Sequence, residues 1–186
     1  MSLEFKKLEK IMVIIDAFEI RAERPKNLQQ QSDSSEYKGG PTIKFLIGIS
    51  CFGGLSFLSE AYHGSITDRK LVDQSGFMDH LLPGDGVMAD RGFDMEDRCD
   101  ERNIDLFVPA FLRGRDAFTA RELILSRSIA VSRVFVECFI GKIKEFRLLR
   151  YMIPNTMLPI ASDLVRVCAF LVNFQFPFIQ DKDSDD

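Results

Sequence analysis

Three carboxylates, Asp16, Asp90 and Glu137, are spaced 74 and 47 residues apart, and each sits where a buried element should present it. Asp16 closes the apolar run Ile11-Met12-Val13-Ile14-Ile15, and Asp90 closes Val87-Met88-Ala89, with Gly92 two residues further on. Short apolar runs bounded by turn residues predict strands, and near-continuous ones predict strands buried on both faces. A carboxylate at the end of such a strand is poorly hydrated and needs a cation or hydrogen bonds. The ordinary alternative for the Asp90-Arg91-Gly92 stretch is a turn aspartate bonding its own backbone. Chemistry that requires several carboxylates at one point is two-metal phosphoryl transfer, where they hold cations roughly 3.5–4 Å apart. The third carboxylate should come from a helix crossing near the two strand ends, and Glu137 is the best candidate. On a helical wheel Arg133, Gly141 and Lys144 lie within about 40° of it, beside an apolar arc of Phe135, Val136, Phe139, Ile140, Ile143 and Phe146. Its alternative reading is an exposed i, i+4 pair with Arg133, worth a few tenths of a kcal/mol.

Composition narrows the chemistry. The chain has 186 residues, 46% hydrophobic and 28% charged, which fits one globular domain. Cys51, Cys99, Cys138 and Cys168 form no C-x-x-C pair, so they read as reduced, mostly buried thiols. His63 and His80 are the only histidines, which excludes a His-rich metal site. A metal here would be held by oxygen, as Mg²⁺ or Mn²⁺ is. No apolar run is expected to reach the roughly 18 residues of a membrane span, and Met1–Lys10 does not resemble a signal peptide, so an intracellular protein without a membrane partner is expected. Net charge is −4, but Arg113–Arg150 carries nine basic and four acidic residues, +5 against −9 for the remainder. Residues 181–186 hold four Asp and one Lys and are expected to be a disordered acidic tail after a domain spanning residues 1–180.

The elements that must position the carboxylates follow in order. After the strand ending at Asp16 comes a polar loop, Asn27–Gly40, in which Lys38 reads as solvated. Thr42–Cys51 is a strand, and Phe52-Gly53-Gly54 turns it into a partner at Leu55–Ala61. Gly64-Ser65-Ile66-Thr67-Asp68 starts a helix over Arg69–Leu82, capped by Thr67 or Asp68 and weakened by Gly76. Pro83-Gly84 ends it. The Val87–Asp90 strand, a short charged helix at Met95–Asn103 and a strand at Ile104–Phe111 follow, the last held near an edge or strand end by Pro109. Arg113-Gly114-Arg115 is a basic turn. Helix dominates from Thr119 to Arg150, and a last helix at Asp163–Phe174 is expected to bury Leu164, Val167, Cys168, Leu171 and Phe174. Three antiparallel strands followed by alternating helices and strands is the α/β, ribonuclease H-like order. That order sets the first and fourth predicted strands side by side and brings Asp16 towards Asp90.

The chain resembles the DDE superfamily endonucleases, the catalytic domains of Harbinger-like and related transposases. The matching pieces are Asp16 with Arg24-Pro25, Tyr37-Lys38, Lys44-Phe45-Leu46-Ile47-Gly48, Gly64-Ser65-Ile66-Thr67-Asp68, and Gly84-Asp85 with Met88-Ala89-Asp90-Arg91-Gly92-Phe93. They continue through Pro109-Ala110-Phe111-Leu112, Val136-Glu137 with Ile140-Gly141-Lys142-Ile143-Lys144, and Val167-Cys168-Ala169 with Asn173-Phe174-Gln175. The resemblance implies a ribonuclease H-like mixed sheet with flanking helices, a catalytic and metal-binding triad of Asp16, Asp90 and Glu137, and divalent Mg²⁺ or Mn²⁺. It also implies double-stranded DNA as substrate and a nuclear location. Asp68 falls in a family motif and reads as a helix cap supporting the site. Cys138 stands where the family has a basic residue, Phe135 where it often has His, and Arg127-Ser128 where it has paired arginines.

Two readings follow. One is a metal-dependent DNA endonuclease or strand-transferase, with Arg91, Arg133, Lys142, Lys144, Arg147 and the Arg113–Arg115 turn as contacts to the DNA backbone. The other is a domesticated, non-catalytic DNA-binding or assembly protein that keeps the fold. A ribonuclease H acting on RNA–DNA hybrids is a third, weaker idea. Family members carry an N-terminal DNA-binding module that this sequence lacks, so a fragment or remnant served by a separate DNA-binding protein is expected, as is homo-oligomerisation.

Overall fold

The strand β1 (Ile11–Arg21) is the one on which the rest of the sheet assembles. In the computed structural model, residues 11–24, 40–51, 53–109 and 120–175 are described, with side chains in the last span from 133 onward. The loop around Lys38, the Arg113–Arg115 turn, the side chains of Arg127 and Ser128, and the acidic tail lie outside the described residues. Antiparallel β2 (Thr42–Ser50) pairs with β1 from Val13 opposite Ser50 to Arg21 opposite Thr42. On the other side, parallel β5 (Gly86–Met88) pairs with β1, Ile14 lying opposite Met88. With β3 (Leu55–Leu58), β4 (Tyr62–His63) and β6 (Asp105–Phe107), these make a six-stranded mixed sheet. Its order is β3-β2-β1-β5-β6, with β4 also on β2. This is the ribonuclease H-like arrangement expected from the element order.

Alternation along β1 divides the core in two. Ile14, Phe18 and Ile20 face a layer formed by α3 (Ala120–Glu145), α4 (Arg147–Arg150) and α5 (Ala161–Val172). Val13 and Ile15 face α1 (Asp68–Gln74) and α2 (Glu96–Arg102). A strand buried on both faces has to be apolar at consecutive positions, which is why Val13-Ile14-Ile15 is an unbroken run. The register shift between Ile11 and Val13 leaves Met12 59% exposed, the sole lapse in that run.

Several expectations are corrected. The first strand does not stop at Asp16 but continues to Arg21, because the antiparallel ladder with β2 holds Asp16 opposite Ile47 and carries on past it. The predicted Leu55–Ala61 strand breaks after Leu58, where the buried Ser59 hydroxyl accepts a hydrogen bond from the Leu46 N–H at 2.9 Å and donates to the Glu60 carbonyl. The predicted Arg69–Leu82 helix is α1 followed by a 3₁₀ turn at Phe77–His80, split where Gly76 takes φ +75°. Strand β6 is shorter than predicted and ends two residues before Pro109, at the sheet edge. Of the four thiols, only Cys99 and Cys168 are buried, and Cys51 and Cys138 are exposed.

The last helix presents a different face from the one expected. Ala161, Val165, Cys168, Ala169 and Val172 are buried, while Val167, Leu171 and Phe174 point outward. Contrary to the sequence expectation, Asn155–Val172 has the length and mean hydropathy (1.4) of a membrane-crossing segment. It is, however, a 3₁₀ turn containing Pro159 followed by a 12-residue helix. Such a helix is about 18 Å long, against a hydrocarbon core of about 30 Å.

Phe139 is the largest α3 side chain in the first core cluster and is completely buried. Phe139→Ala is expected to cost about 3–5 kcal/mol in urea unfolding, the cost of a large-to-small change in a core that closes only partly.

Candidate active site

Asp16 lies between Ile14 and Phe18, so its carboxylate shares their face of the sheet, the one covered by α3. Met88 belongs to that same cluster, and Val87 and Ala89 to the opposite one, so the extended backbone at Asp90 (φ −73°, ψ 155°) returns to the α3 side. Ile14 is level with Met88 in the parallel ladder. Asp16 and Asp90 lie two residues beyond that pair, and the Asp90 charge acts on Asp16. Strand β5 stops at Met88, and Asp90 caps the 3₁₀ turn Arg91–Phe93, its Oδ1 accepting the Arg91 N–H at 2.7 Å. The turn aspartate and the convergent aspartate, set against each other in the sequence, are thus one residue with two oxygens free to do different things.

Glu137 arrives from α3. Val136, Phe139, Ile140 and Ile143 anchor that helix to the sheet, and Glu137 stands exposed at the flank of their arc, as the wheel predicted. Arg133 joins the groups: one guanidinium nitrogen lies 3.4 Å from Asp90 Oδ2 and 3.7 Å from Glu137 Oε1. Sequence periodicity gave the i, i+4 contact to Glu137 but not the bridge to Asp90, which depends on how α3 crosses the sheet.

The electrostatics of Asp16 report the same convergence. Burial pushes its carboxyl pKa up. The Ala17 N–H, donated to Oδ1 at 2.8 Å, and the Arg133 charge oppose that rise, and the Glu137 and Asp90 charges add to it. Asp16 therefore feels all three of the other groups.

Asp68 does not cap its helix. Thr67 is the cap, accepting the Lys70 N–H, and Asp68 is the first helical residue. It sits beneath the Asp90 loop, where a Cβ on Gly92 would lie 3.5 Å from Asp68 Oδ2. Its Oδ1 is buried and held by Lys44 Nζ at 2.7 Å, an ion pair without the alignment of a hydrogen bond. Lys44 also donates to the Ile66 carbonyl. It shares a sheet face with Leu46 in the second core cluster, so Asp68 supports the loop from the side opposite Asp16. Neither Lys44 nor its role was visible in the sequence, since the pair spans 24 residues and two different elements.

The remaining cations divide. Arg91 is tied to the Pro109 carbonyl, an anchor for its own loop. Lys142 pairs with Glu145 at 3.0 Å and lies about 140° around α3 from Glu137. Arg147 is exposed at the start of α4. Lys144 Nζ lies 5.8 Å from the centre of the Phe18 ring, two helical turns along from Glu137.

Asp16, Asp90 and Glu137 offer only oxygen, the donor set of a hard divalent cation. Among the described residues no three such side chains already stand in coordinating geometry. The cation that now spans Asp90 and Glu137 is Arg133, and it marks the place where positive charge is needed. By donor chemistry Asp16, Asp90 and Glu137 are the residues that could hold a divalent ion.

The raised Asp16 pKa has a consequence for stability. A carboxyl that binds its proton more readily folded than unfolded loses stability as pH rises through its folded pKa. Asp16→Asn keeps the Ala17 acceptor and removes the charge. It is expected to raise the metal-free Tm at pH 7, with the gain vanishing below about pH 4, where the carboxyl is protonated folded and unfolded alike. Thermal denaturation at the two pH values checks this.

Comparison with curated proteins finds no match, and comparison with solved structures finds none. The family profile described as DDE superfamily endonuclease matches residues 15–173, which takes in Asp16, Asp68, Asp90 and Glu137. With most of its length inside that match, the chain belongs to the DDE superfamily endonuclease family.

Proposed function

We propose that this protein is a metal-dependent DNA endonuclease of transposase origin whose catalytic carboxylates are Asp16, Asp90 and Glu137. The observation that carries this is the approach of Asp16 on β1 and Asp90 in the turn just after parallel β5, with Arg133 linking Asp90 to Glu137. Asp16 and Asp90 would hold Mg²⁺ or Mn²⁺ in common, and Glu137 would complete the set. Bound there, the ions supply Lewis-acid stabilisation of charge at the phosphate oxygens.

The chain's own residues have separable tasks. The β1 backbone fixes Asp16 and the turn after β5 fixes Asp90, while Glu137, on the exposed flank of α3, can adjust by rotamer. Buried Asp16 disfavours carrying its charge alone, so the site is predisposed to take up positive charge. Arg133 neutralises Asp90 and Glu137 when nothing else does, and once released it can hold a phosphate oxygen. The reaction class is displacement at phosphorus: an oxygen of water, or of a DNA 3′-hydroxyl for strand transfer, forms the new P–O bond as the old one breaks.

One observation favours the second reading, a non-catalytic DNA-binding or assembly protein. Cys138 is exposed beside Glu137, at the position where the resemblance calls for a basic residue, so one phosphate contact is lost.

Plasmid nicking separates the two. Wild type with Mn²⁺ or Mg²⁺ is expected to convert supercoiled DNA to open circles, EDTA to abolish the reaction, and Asp90→Ala to slow it at least about 100-fold, the scale of several kcal/mol at the transition state. Folded wild-type protein that nicks at no metal concentration would rule out the nuclease and leave the binding protein.

A further inference from the structure

Of the three carboxylates, Asp16 stands in a strand and Glu137 in a helix, but Asp90 lies outside any regular element. The last sheet bond before it runs from the Ala89 N–H to the Phe107 carbonyl at 3.1 Å, and β5 has already ended at Met88. From there its position depends on the 3₁₀ turn Arg91–Phe93. The backbone bonds of that turn are long: the Phe93 N–H donates to the Asp90 carbonyl at 3.2 Å, and the Asp94 N–H to the Arg91 carbonyl at 3.3 Å. A single 3₁₀ turn has poor hydrogen-bond geometry and holds itself weakly.

What fixes the turn comes from outside it. Phe93 and Met95 are both buried in the second core cluster, and Asp94 between them reverses the chain at φ +44°. That left-handed conformation is uncommon for a residue with a side chain, so it needs support. Arg69, the second residue of α1, supplies it. Its Nη1 donates to the Asp94 carbonyl and to Asp94 Oδ2, both at 3.0 Å, and its Nη2 donates to Asp97 Oδ2 in α2. One planar fork thus holds the backbone and the side chain of the left-handed residue and ties both to two helices. At the near end of the turn, the Arg91 guanidinium is tied to the Pro109 carbonyl.

The neighbouring Arg98 shows what an ordinary ion pair looks like here. It is as exposed as Arg69, 36% for each side chain, and it joins Asp73 to Asp97, between the two helices. As exposed pairs, both arginines contribute little to stability. Only the Arg69 fork also grips the backbone that leads away from Asp90.

We propose that Arg69 is a positioning residue for Asp90, holding the turn after β5 in the shape that keeps this carboxylate beside Asp16 and Glu137. This rests on the cation-site reading of the three carboxylates.

The test is Mn²⁺ binding by isothermal titration calorimetry on wild type, Arg69→Gln, Arg69→Lys and Arg98→Gln, each shown to be folded by circular dichroism. Loss of a positive charge near the site would by itself tighten cation binding, so weaker binding in Arg69→Gln cannot come from the charge. Arg69→Lys keeps the charge and loses the fork. Both Arg69 variants are expected to bind Mn²⁺ about 10-fold more weakly, the scale on which outer supports of a metal site act. Arg98→Gln is expected to bind it like wild type, and the Tm of all three to change little. Arg69 variants that bind Mn²⁺ like wild type, whatever their Tm, would overturn the positioning role and leave the cation site standing. An equal loss in Arg98→Gln would do the same. A folded wild type that takes up no Mn²⁺ would overturn both.

Discussion

A carboxylate in the middle of a strand paired on both sides is the constraint from which the rest of this structure follows. Asp16 cannot leave its face of the sheet, because Ile14 and Phe18 on either side of it are locked into the α3 core and a one-residue slip would turn the whole run over. It cannot be fully hydrated there, and burial pushes its pKa up. Around it stand groups from three places: the Ala17 N–H on its own strand, Asp90 in the turn after β5, and the Arg133–Glu137 pair on α3. Two of the four groups make the cost of ionising Asp16 greater. A site assembled to make a charge comfortable would not add two more of the same sign, so the arrangement is costly for a bare protein and sensible for one that binds cations.

Arg133 offsets part of this cost. A single guanidinium close to both Asp90 and Glu137 lowers their mutual repulsion without burying a salt bridge, since all three side chains remain part-exposed. Exposed pairs of this kind are worth at most about 1 kcal/mol, which is little enough for a divalent ion to displace. Beneath the same loop the Lys44–Asp68 pair is much less exposed and ties β2 to the start of α1. Two ion pairs near one site thus differ in exposure.

Much of this was legible in the chain because it depends on local periods. The period-2 alternation and the unbroken Val13-Ile14-Ile15 run identify a central strand, and the 3.6 period of Val136, Phe139, Ile140 and Ile143 puts Glu137 at the core's edge. What was not legible depends on long-range packing. The outer residues of α5 and of the turn after it, Val167, Phe170, Leu171 and Phe174, are more apolar than the buried Ala161, Val165, Cys168 and Ala169, so periodicity pointed to the wrong face. Arg91 reads as a free cation until Pro109, 18 residues away, supplies a carbonyl. The end of β1 and the chain after α4 are far apart in sequence and meet because the Ile153 N–H donates to the Arg21 carbonyl and Ala22 bridges to Ile153.

The central claim is that Asp16, Asp90 and Glu137 act as one cation site. Its most direct test is a Mn²⁺ titration of the folded protein followed by Tm, compared with Asp16→Asn, Asp90→Asn and Glu137→Gln. A ligand bound only by the native state stabilises it by about 2.7 kcal/mol at a hundred times its Kd. The account predicts a saturable rise in the wild-type Tm that is lost or strongly reduced in each of the three variants. A wild type whose Tm does not respond to Mn²⁺, or a rise that survives all three substitutions, would contradict it.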